Sequence, residues 1–450
     1  MSSGGATAER LPGDRPALTI ETAQAAVLRR ARPVPVETWR LDAAAGCALA
    51  HDVFATVTLP PWNNAAMDGF AVRTHDVLGA TADSPRPLRV IGSIAAGGTN
   101  AFTVSAGTAV RIMTGAPLPD GADAVIRVED TRGADAERGA GEEVLIVHDR
   151  DARTATRNVR PRGEDITDGS LVARAGDTLT PALLGVLASI GCATVDVHRR
   201  PRVVIAPSGD ELLPVEAIDE VRAGRGIIGS STFALEALLR ATGADVRVLP
   251  ALPDDPERLR DAIGRALEDD CDLLVTTGGV SMGVHDHLRD VIVALGGHID
   301  VHRVRVRPGG PTSAGHVLGT PWIGLPGNPV STLVMAELLA RPAIRALGGH
   351  ARVLPARVPV RLAHDVAASA PLRFFLRASL HITADGTLDA ALTGRQGSNL
   401  LTSMAYADAL LEIDGPREQV VAGTVVPALL LDHALLRSAA ADAAVPETRE

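Results

Sequence analysis

The sequence predicts a multidomain protein of the α/β plus β type, with a doubly wound parallel sheet as its largest part. Three observations predict it. The chain has 450 residues, which at roughly 100–200 residues per domain corresponds to about two to four domains. Between 181 and 348, short apolar runs alternate with helix-length segments, the mark of a parallel sheet wrapped by helices. On either side, over 48–147 and 349–436, short β-rich runs are broken by Gly and Pro.

Taken in order, residues 1–16 are polar and rich in Gly and Pro, as is 437–450 (RSAAADAAVPETRE), and both read as unstructured ends. Ile20, Ala23, Val27 and Leu28 have helical spacing. The runs VFATVTL, LRVIGSI, TAVRIM, DAVIRVED and EVLIVH then predict a small domain of short strands. The polar stretch Thr131 to Glu143 interrupts it and reads as a long surface loop. The segment 150–180 is similar in character and is expected to pack with the N-terminal helix.

From 181 the alternation begins. Arg202–Ala206 is a strand, and Ser231 is placed to cap a helix carrying Leu235, Leu238 and Leu239. Val246–Leu249 is the next strand. Asp255-Pro256 supplies an N-cap and an N1 proline to a helix with Leu259, Ile263 and Leu267. Leu273–Thr276 is a strand, and Leu288, Val291, Ile292 and Leu295 form one helix face. Strands near 299–304 and 322–325 and a long helix over Val330–Leu347 complete the pattern. Beyond 350 the helices give way to VPVRLA, RASLHI and VVPALLL, an all-β ending.

Composition excludes several functions. Hydrophobic residues are 46% and charged residues 22%, ordinary for a globular chain. Net charge is −10, against the basic excess of a nucleic-acid binder, and aromatics at 2% leave few base-stacking platforms. All 44 basic residues are Arg, so neither a Schiff-base lysine nor a Walker-A lysine exists. Cys47, Cys192 and Cys271 are too scattered for a structural zinc site or a disulfide framework. No apolar run reaches the roughly 18 residues of a membrane span. The N-terminus lacks the apolar core of a secretory signal, so a cytoplasmic, membrane-free location is expected.

Chemistry concentrates in three Gly-bearing loops that follow strands of the predicted sheet: Ser208-Gly209-Asp210-Glu211, Thr277-Gly278-Gly279-Val280-Ser281 and Pro326-Gly327-Asn328-Pro329-Val330-Ser331. Loops at the carboxyl edge of such a sheet bind ligands. Glycines let a phosphate approach the backbone, and the following helix offers free N–H groups. Singly, each loop is equally a tight turn. Asp210, Glu211 and Asp286 cluster at the same edge. They are either helix-capping acids or ligands of a Mg²⁺ that bridges carboxylate and phosphate. His285-Asp286-His287 does not make a zinc site, since neighbours at a helix start diverge by about 100°. Arg303, Arg305 and Arg307 alternate, so a strand would carry all three on one face, either a solvated edge or an oxyanion clamp. The turn 60–72 spends Asn63, Asn64, Asp68 and Trp62 on one compact stretch. Turn chemistry and function remain alternatives there, as at Thr114 and Asp165.

The segments PPWNNAAMDGFAV, RIMTGAPLPDGADAVI, RPRGEDI, PSGDEL, TTGGVSMGVHD, RPGGPT and GLPGNPVS, in this order over about 58–332, resemble the molybdopterin molybdenumtransferases, the MoeA type related to the E domain of gephyrin. The resemblance implies a linking domain in two pieces (17–47 and 148–180), a small β-rich domain (48–147), an α/β molybdopterin-binding domain (181–348) and a C-terminal β barrel (349–436). It implies a homodimer with each cleft built from both subunits, and contact with the molybdopterin adenylyltransferase. The implied reaction takes adenylated molybdopterin and molybdate with Mg²⁺ and releases AMP. Carried over by motif, the catalytic positions are Asp68, Thr114, Asp165, Glu211 and Asp286, with Glu211 and Asp286 toward Mg²⁺. Those binding substrate are Ser208, Gly209, Asp210, Gly278, Gly279, Ser281, Arg303, Arg307, Pro326, Gly327, Asn328 and Ser331. Gln396-Gly397-Ser398 resembles a further family element. The sequence departs from the pattern where lysines are common, reading Arg303, Arg307 and Gly310. It also departs at Gly229-Ser230-Ser231-Thr232, where an Asp-Ser/Thr-Asn helix start is usual.

Overall fold

The computed structural model describes residues 16–99, 101–133, 141–154, 156–279, 287–431 and the backbone of 437–438. Ser281 and Asp286 lie outside these residues, as do 1–15, the centre of the 131–143 stretch and nearly all of the C-terminal end. The described residues form two compact units. One is drawn from Met1–His51, Ala175–Thr180 and Thr194–Glu450, the other from Asp52–Arg174 and Pro181–Ala193.

The first unit is built around a six-stranded sheet in the order Asp245–Val248, Arg202–Pro207, Leu273–Thr277, Thr320–Leu325, Ser313–Val317, His298–Val301. The first four strands are parallel. The fifth runs antiparallel to both of its neighbours, a departure from the all-parallel expectation. Its cause is local. Only Leu318-Gly319 separates two of these strands, both with positive φ (49° and 88°), and so short a link makes a hairpin, not a crossover. Alternation along Arg202–Pro207 sends Val203 and Ile205 to one face and Val204 and Ala206 to the other. Helices Ser230–Ala241 and Pro329–Leu347 cover the first face; Pro256–Glu268 and Leu288–Ala294 cover the second. The sheet is therefore doubly wound.

Asp255 caps its helix as its side chain predicts, accepting from the Arg258 N–H at 2.8 Å. The Ser231 expectation fails. Gly229 is the N-cap, with no side-chain cap bond, and Ser231 is buried one residue inside the helix. The helix Ile20–Arg30 starts at Thr19, whose hydroxyl accepts from the Thr22 N–H. It buries Ile20, Ala23 and Val27 with Leu338 and Leu339 of the long helix. Residues 150–174, expected beside this helix, fall in the other unit. Their short strands Val159–Arg160 and Leu171–Ala173 pair with Asn64–Ala65 and Val53–Phe54.

Beyond 350 five strands close on themselves. The order is Arg373–Ile382, Leu388–Leu392, Arg357–Leu362, Val425–Leu430, Ala409–Asp414, and the last pairs back with the first. Phe374, Leu376, Leu380, Leu411 and Val426 fill the interior. The short helix Leu401–Ala405 is an exception to the all-β expectation. The second unit carries a curled six-stranded sheet with Gly69–Val72 between Ala124–Arg127 and Thr108–Ile112. No helix among the described residues is long and apolar enough to cross a membrane.

Candidate functional site

The chain enters the parallel sheet at Arg202–Pro207, adds a neighbour on one side, then returns to the other side with Leu273–Thr277. That reversal is a topological switch point, where the two outgoing loops diverge and leave a crevice. The loops that follow are those carrying Ser208-Gly209 and Gly278-Gly279. They are packed together: the Ser208 N–H donates to the Thr277 carbonyl at 2.9 Å, and the Gly278 N–H to the Leu325 carbonyl at 3.1 Å. Gly278 has φ +83°, and a Cβ there would lie 2.4 Å from the Ser208 carbonyl oxygen. No larger residue fits that approach. A Cβ on Gly327 would sit 3.7 Å from the Gly278 Cα, so the third loop joins the same edge.

At this edge Glu211 folds back over Gly209, where a Cβ would meet Oε2 at 2.5 Å. Asp210 accepts from the Asp254 N–H at 3.3 Å, and both acids are exposed. Asn328 stands at the N-cap of its helix, yet its side chain makes no capping bond. Pro326 and Ser331 are buried behind it. Among the described residues no three His, Cys, Asp or Glu side chains are grouped to hold a metal. Glu211 is a single exposed carboxylate at this edge, of the kind that Mg²⁺ takes one or two of beside substrate oxygens and water.

A cavity of about 630 Å³ opens on the barrel beside this edge, lined by Arg307, Arg377, Arg395, Asp365, Gln396 and Gly397 among others. Arg377 forms its back wall and is fully buried. Its Nε donates to Ser403 Oγ at 3.1 Å and one terminal nitrogen to the Gly397 carbonyl at 3.0 Å. The other terminal nitrogen, Nη1, has no partner. Desolvation pushes the guanidinium down to about 10, which leaves it charged at neutral pH. Asp365, which accepts from the Ala422 N–H at 2.7 Å and from Gln419, offsets only one of the three arginine charges of Arg307, Arg377 and Arg395. Arg307 lies over the Phe374 ring at 5.9 Å. The Val330 N–H, at the head of the GNPVS helix, donates to the Ser398 carbonyl at 3.1 Å, which ties this cavity to the edge carrying the three glycine loops.

Arg303, Arg305 and Arg307 are exposed around buried Val304 and Val306, as alternation predicts, but only Val306–Arg307 is strand. Of the pair Arg303 and Arg307, only Arg307 lines the cavity. The backbone bends at His302 and again at Arg305, between the two. Sequence reasoning missed Arg377 and Arg395. Gln396-Gly397-Ser398 pointed to the region, but Arg377 sits in RFFLRASLHI, where nothing distinguishes a buried arginine from a solvated one.

In the other unit, Asp68 directly precedes the strand Gly69–Val72, and Thr114 follows the paired strand Thr108–Ile112. The register Gly69↔Ile112 brings them side by side. Asp68 Oδ1 accepts from the Thr114 hydroxyl and from its backbone N–H, each at 2.7 Å. The hydroxyl, the N–H and the nearby Arg111 charge hold the exposed Asp68 carboxyl below the usual carboxylate range. Asp165 is exposed, and its N–H donates to the Leu59 carbonyl at 3.1 Å. The Arg162 N–H donates to Asn63 Oδ1 at 2.8 Å, so RPRGED and PPWNN are docked on each other.

Family models agree along nearly the whole chain: the MoeA N-terminal region (domain I and II) over 18–191, a probable molybdopterin binding domain over 204–346 and the MoeA C-terminal region (domain IV) over 359–431. The chain is 36% identical over 406 residues to molybdopterin molybdenumtransferase 2 of Mycobacterium tuberculosis, covering 89% of this chain and 95% of that protein. The chain belongs to the MoeA family of molybdopterin molybdenumtransferases. A Staphylococcus epidermidis molybdopterin molybdenumtransferase is 31% identical over 392 residues, covering 87% and 90%. The crystal structure of a MoeA molybdopterin biosynthesis protein from Pyrococcus horikoshii matches with TM-score 0.68 and 30% identity, over 92% of this chain and 99% of that one. MoeA membership places the chain among the transferases of molybdenum cofactor biosynthesis.

Proposed function

We propose that this MoeA-family chain inserts molybdenum from molybdate into adenylated molybdopterin, releasing AMP. The observation that carries the reading is Arg377, a buried guanidinium with an unpartnered nitrogen in an arginine-lined cavity beside a phosphate edge. A buried charge without a counter-ion is costly, and an oxyanion such as molybdate completes it. Arginine matches oxyanion geometry through paired N–H donors.

In this reading the Ser208, Gly278 and Gly327 loops hold the phosphates of the substrate through backbone N–H groups. Asn328 and Ser331 frame the same edge. Glu211 and Asp286 would hold Mg²⁺, which would supply neutralisation of phosphate charge. Molybdate waits against Arg307 and Arg377. Water cleaves the phosphoanhydride to give AMP and the molybdopterin phosphate. Two Mo–S bonds form as one molybdate oxygen leaves, carrying the two thiol protons away as water. Thr114 fixes the Asp68 carboxylate in its ionised form, and Asp165 stands on the neighbouring docked loops. The protein acts as a homodimer with each cleft shared between subunits, and receives its substrate from the molybdopterin adenylyltransferase.

AMP release from adenylated molybdopterin and molybdate tests the reaction. Asp286→Ala is expected to abolish it with an unchanged melting transition, and undiminished turnover at saturating Mg²⁺ removes that role. Changing Arg307 to Gln should weaken molybdate binding at low salt. The shared cleft has its own test. Asp68→Ala and Asp286→Ala, each inactive, should regain activity when co-expressed, because one of the two clefts in a mixed dimer then holds both intact residues. Mixed dimers proven by tag exchange but still inactive eliminate that arrangement.

A further inference from the structure

In the unit containing Asp68 the chain passes through two consecutive residues in the left-handed region, Arg157 (φ 50°) and Asn158 (φ 54°). Neither is glycine. Asparagine tolerates this conformation, but arginine is uncommon there. Such a turn persists only where its surroundings over-determine it, and here they do. The Val159 N–H closes the turn on the Thr156 carbonyl at 2.9 Å. The Arg157 N–H donates to the Thr154 hydroxyl at 2.9 Å, and its guanidinium to Asp123 at 3.0 Å.

We propose that this turn is the positioning element of Asp68. Asn158 is its positioning residue: the left-handed backbone aims the Asn158 carbonyl at the stretch before Asp68 and so fixes the carboxylate for the reaction. The proposal rests on the reading above that Asp68 takes part in molybdenum insertion.

Three observations carry it. The turn is fastened to the strand Ala124–Arg127. The Val125 N–H donates to the Arg157 carbonyl at 2.9 Å, and the Asn158 amide to the Val125 carbonyl at 3.0 Å. From there the Asn158 carbonyl accepts from the Ala66 N–H at 2.8 Å, just ahead of Asp68. The neighbouring Ala65 carbonyl accepts from the Gly115 N–H at 2.8 Å, so the fixed stretch is also what the Thr114 loop docks on. The same strand and its continuation hold the other side of Asp68. The Asp68 carbonyl accepts from the Val128 N–H at 3.2 Å, and a Cβ on Gly69 would lie 2.0 Å from the Ile126 carbonyl oxygen. The backbone is thus clamped at Ala66 and at Asp68, with only Met67 between. The Asp68 side chain is exposed, so packing does not hold it. The clamp lets Oδ1 meet the Thr114 hydroxyl and N–H together at 2.7 Å. A shift of about 1 Å takes both bonds out of range.

Two variants of the full chain isolate the backbone. Asn158→Gly and Asn158→Ala both lose the amide's bond to Val125 and its contact with buried Asp151. Only glycine keeps the left-handed φ without strain. Amide hydrogen exchange, resolved to single residues, reads the clamp independently of activity. Exchange at Ala66 and Thr114 should quicken about tenfold in Asn158→Ala and stay within about threefold of wild type in Asn158→Gly. Val110, in a strand flanked on both sides, should not change in either. The saturated rate of AMP release should fall about tenfold in Asn158→Ala with KM within about twofold, as for a group misplaced in the transition state. In Asn158→Gly that rate should stay within about threefold of wild type. Equal losses in both variants assign the effect to the amide and overturn the proposal. So does wild-type exchange at Thr114 in Asn158→Ala, or a quickening that extends to Val110, which is general destabilisation. Loosened Thr114 with undiminished AMP release overturns the role in turnover. AMP release absent from the wild type removes insertion instead, and exchange at Thr114 then decides by itself whether the turn holds Asp68.

Discussion

Two buried clusters of charge in this molecule have opposite fates. In the unit built on the curled sheet, Asp130 and Asp151 are 0% and 1% exposed. Each is held by an arginine that reaches in from the surface. Arg127 grips Asp151 at 2.9 Å, and Arg150 grips Asp130. In the barrel, Arg377 is equally buried and among the described residues meets no carboxylate, only a hydroxyl, carbonyls and one idle nitrogen. The first cluster is complete within the chain and serves structure. The second has no counter-charge among the described residues, and the proposed anion site rests on that difference.

The sharpest way to break this comparison is to remove one charge from each cluster. Asp151→Asn leaves Arg127, which still has Asp130 at 3.4 Å, facing a neutral amide and should cost about 1.5–3 kcal/mol in urea unfolding. Arg377→Met removes a charge that none of the described residues neutralises. It should change stability by no more than about 1.5 kcal/mol while abolishing molybdate binding. Equal destabilisation by the two changes would dissolve the distinction.

Acid separates the two regions further. Burial, then the charges of Arg345 and His198, push His350 from 6.5 down to about 4. The folded state holds it neutral, so its contribution is intact above pH 6.5. It is lost as pH falls toward 4, about 3 kcal/mol in all. Burial alone would raise Asp151, but hydrogen bonds from the Arg127 side chain and N–H outweigh it and hold the carboxyl low. Its contribution is present above about pH 4 and is lost only below that. Tryptophan and hydrogen-exchange probes should therefore find the His350 region loosening first on acidification, and His350→Gln should flatten that slope.

At Asp68 the charge is exposed and merely oriented. Thr114→Val removes one of its two hydrogen bonds. It should lower AMP release roughly tenfold, as expected for a bond to a charged group, with an unchanged melting point. Smallest of all is Gly229→Asp. A Cβ there meets nothing nearer than the Thr232 hydroxyl at 3.9 Å. The new side chain would cap the helix Ser230–Ala241 and add a few tenths of a kcal/mol, visible as a small rise in the urea midpoint.

Much of the site was legible because its chemistry is local. A loop such as Thr277-Gly278-Gly279 announces a close approach in its glycines, and Gly278 has the left-handed φ and the contact with Ser208 that require one. Asp255-Pro256 announces a helix start with the same economy. Arg303 and Arg307 are both exposed, as alternation predicts, but only Arg307 lines the barrel cavity, because a period-two pattern fixes a face and not what that face meets.

The sequence by itself determined the class of fold, the family, the helix starts that carry their own caps and the loops that carry their own glycines, since each rests on neighbours a few residues apart. Only the tertiary structure decided which charges are satisfied. Arg127, Arg150 and Arg377 look alike in the sequence. Their roles diverge because the sheet register sets two of them against carboxylates 20 and 24 residues away, while closure of the barrel seals the third among carbonyls. Desolvation is a property of the whole surrounding packing, and no local pattern records it.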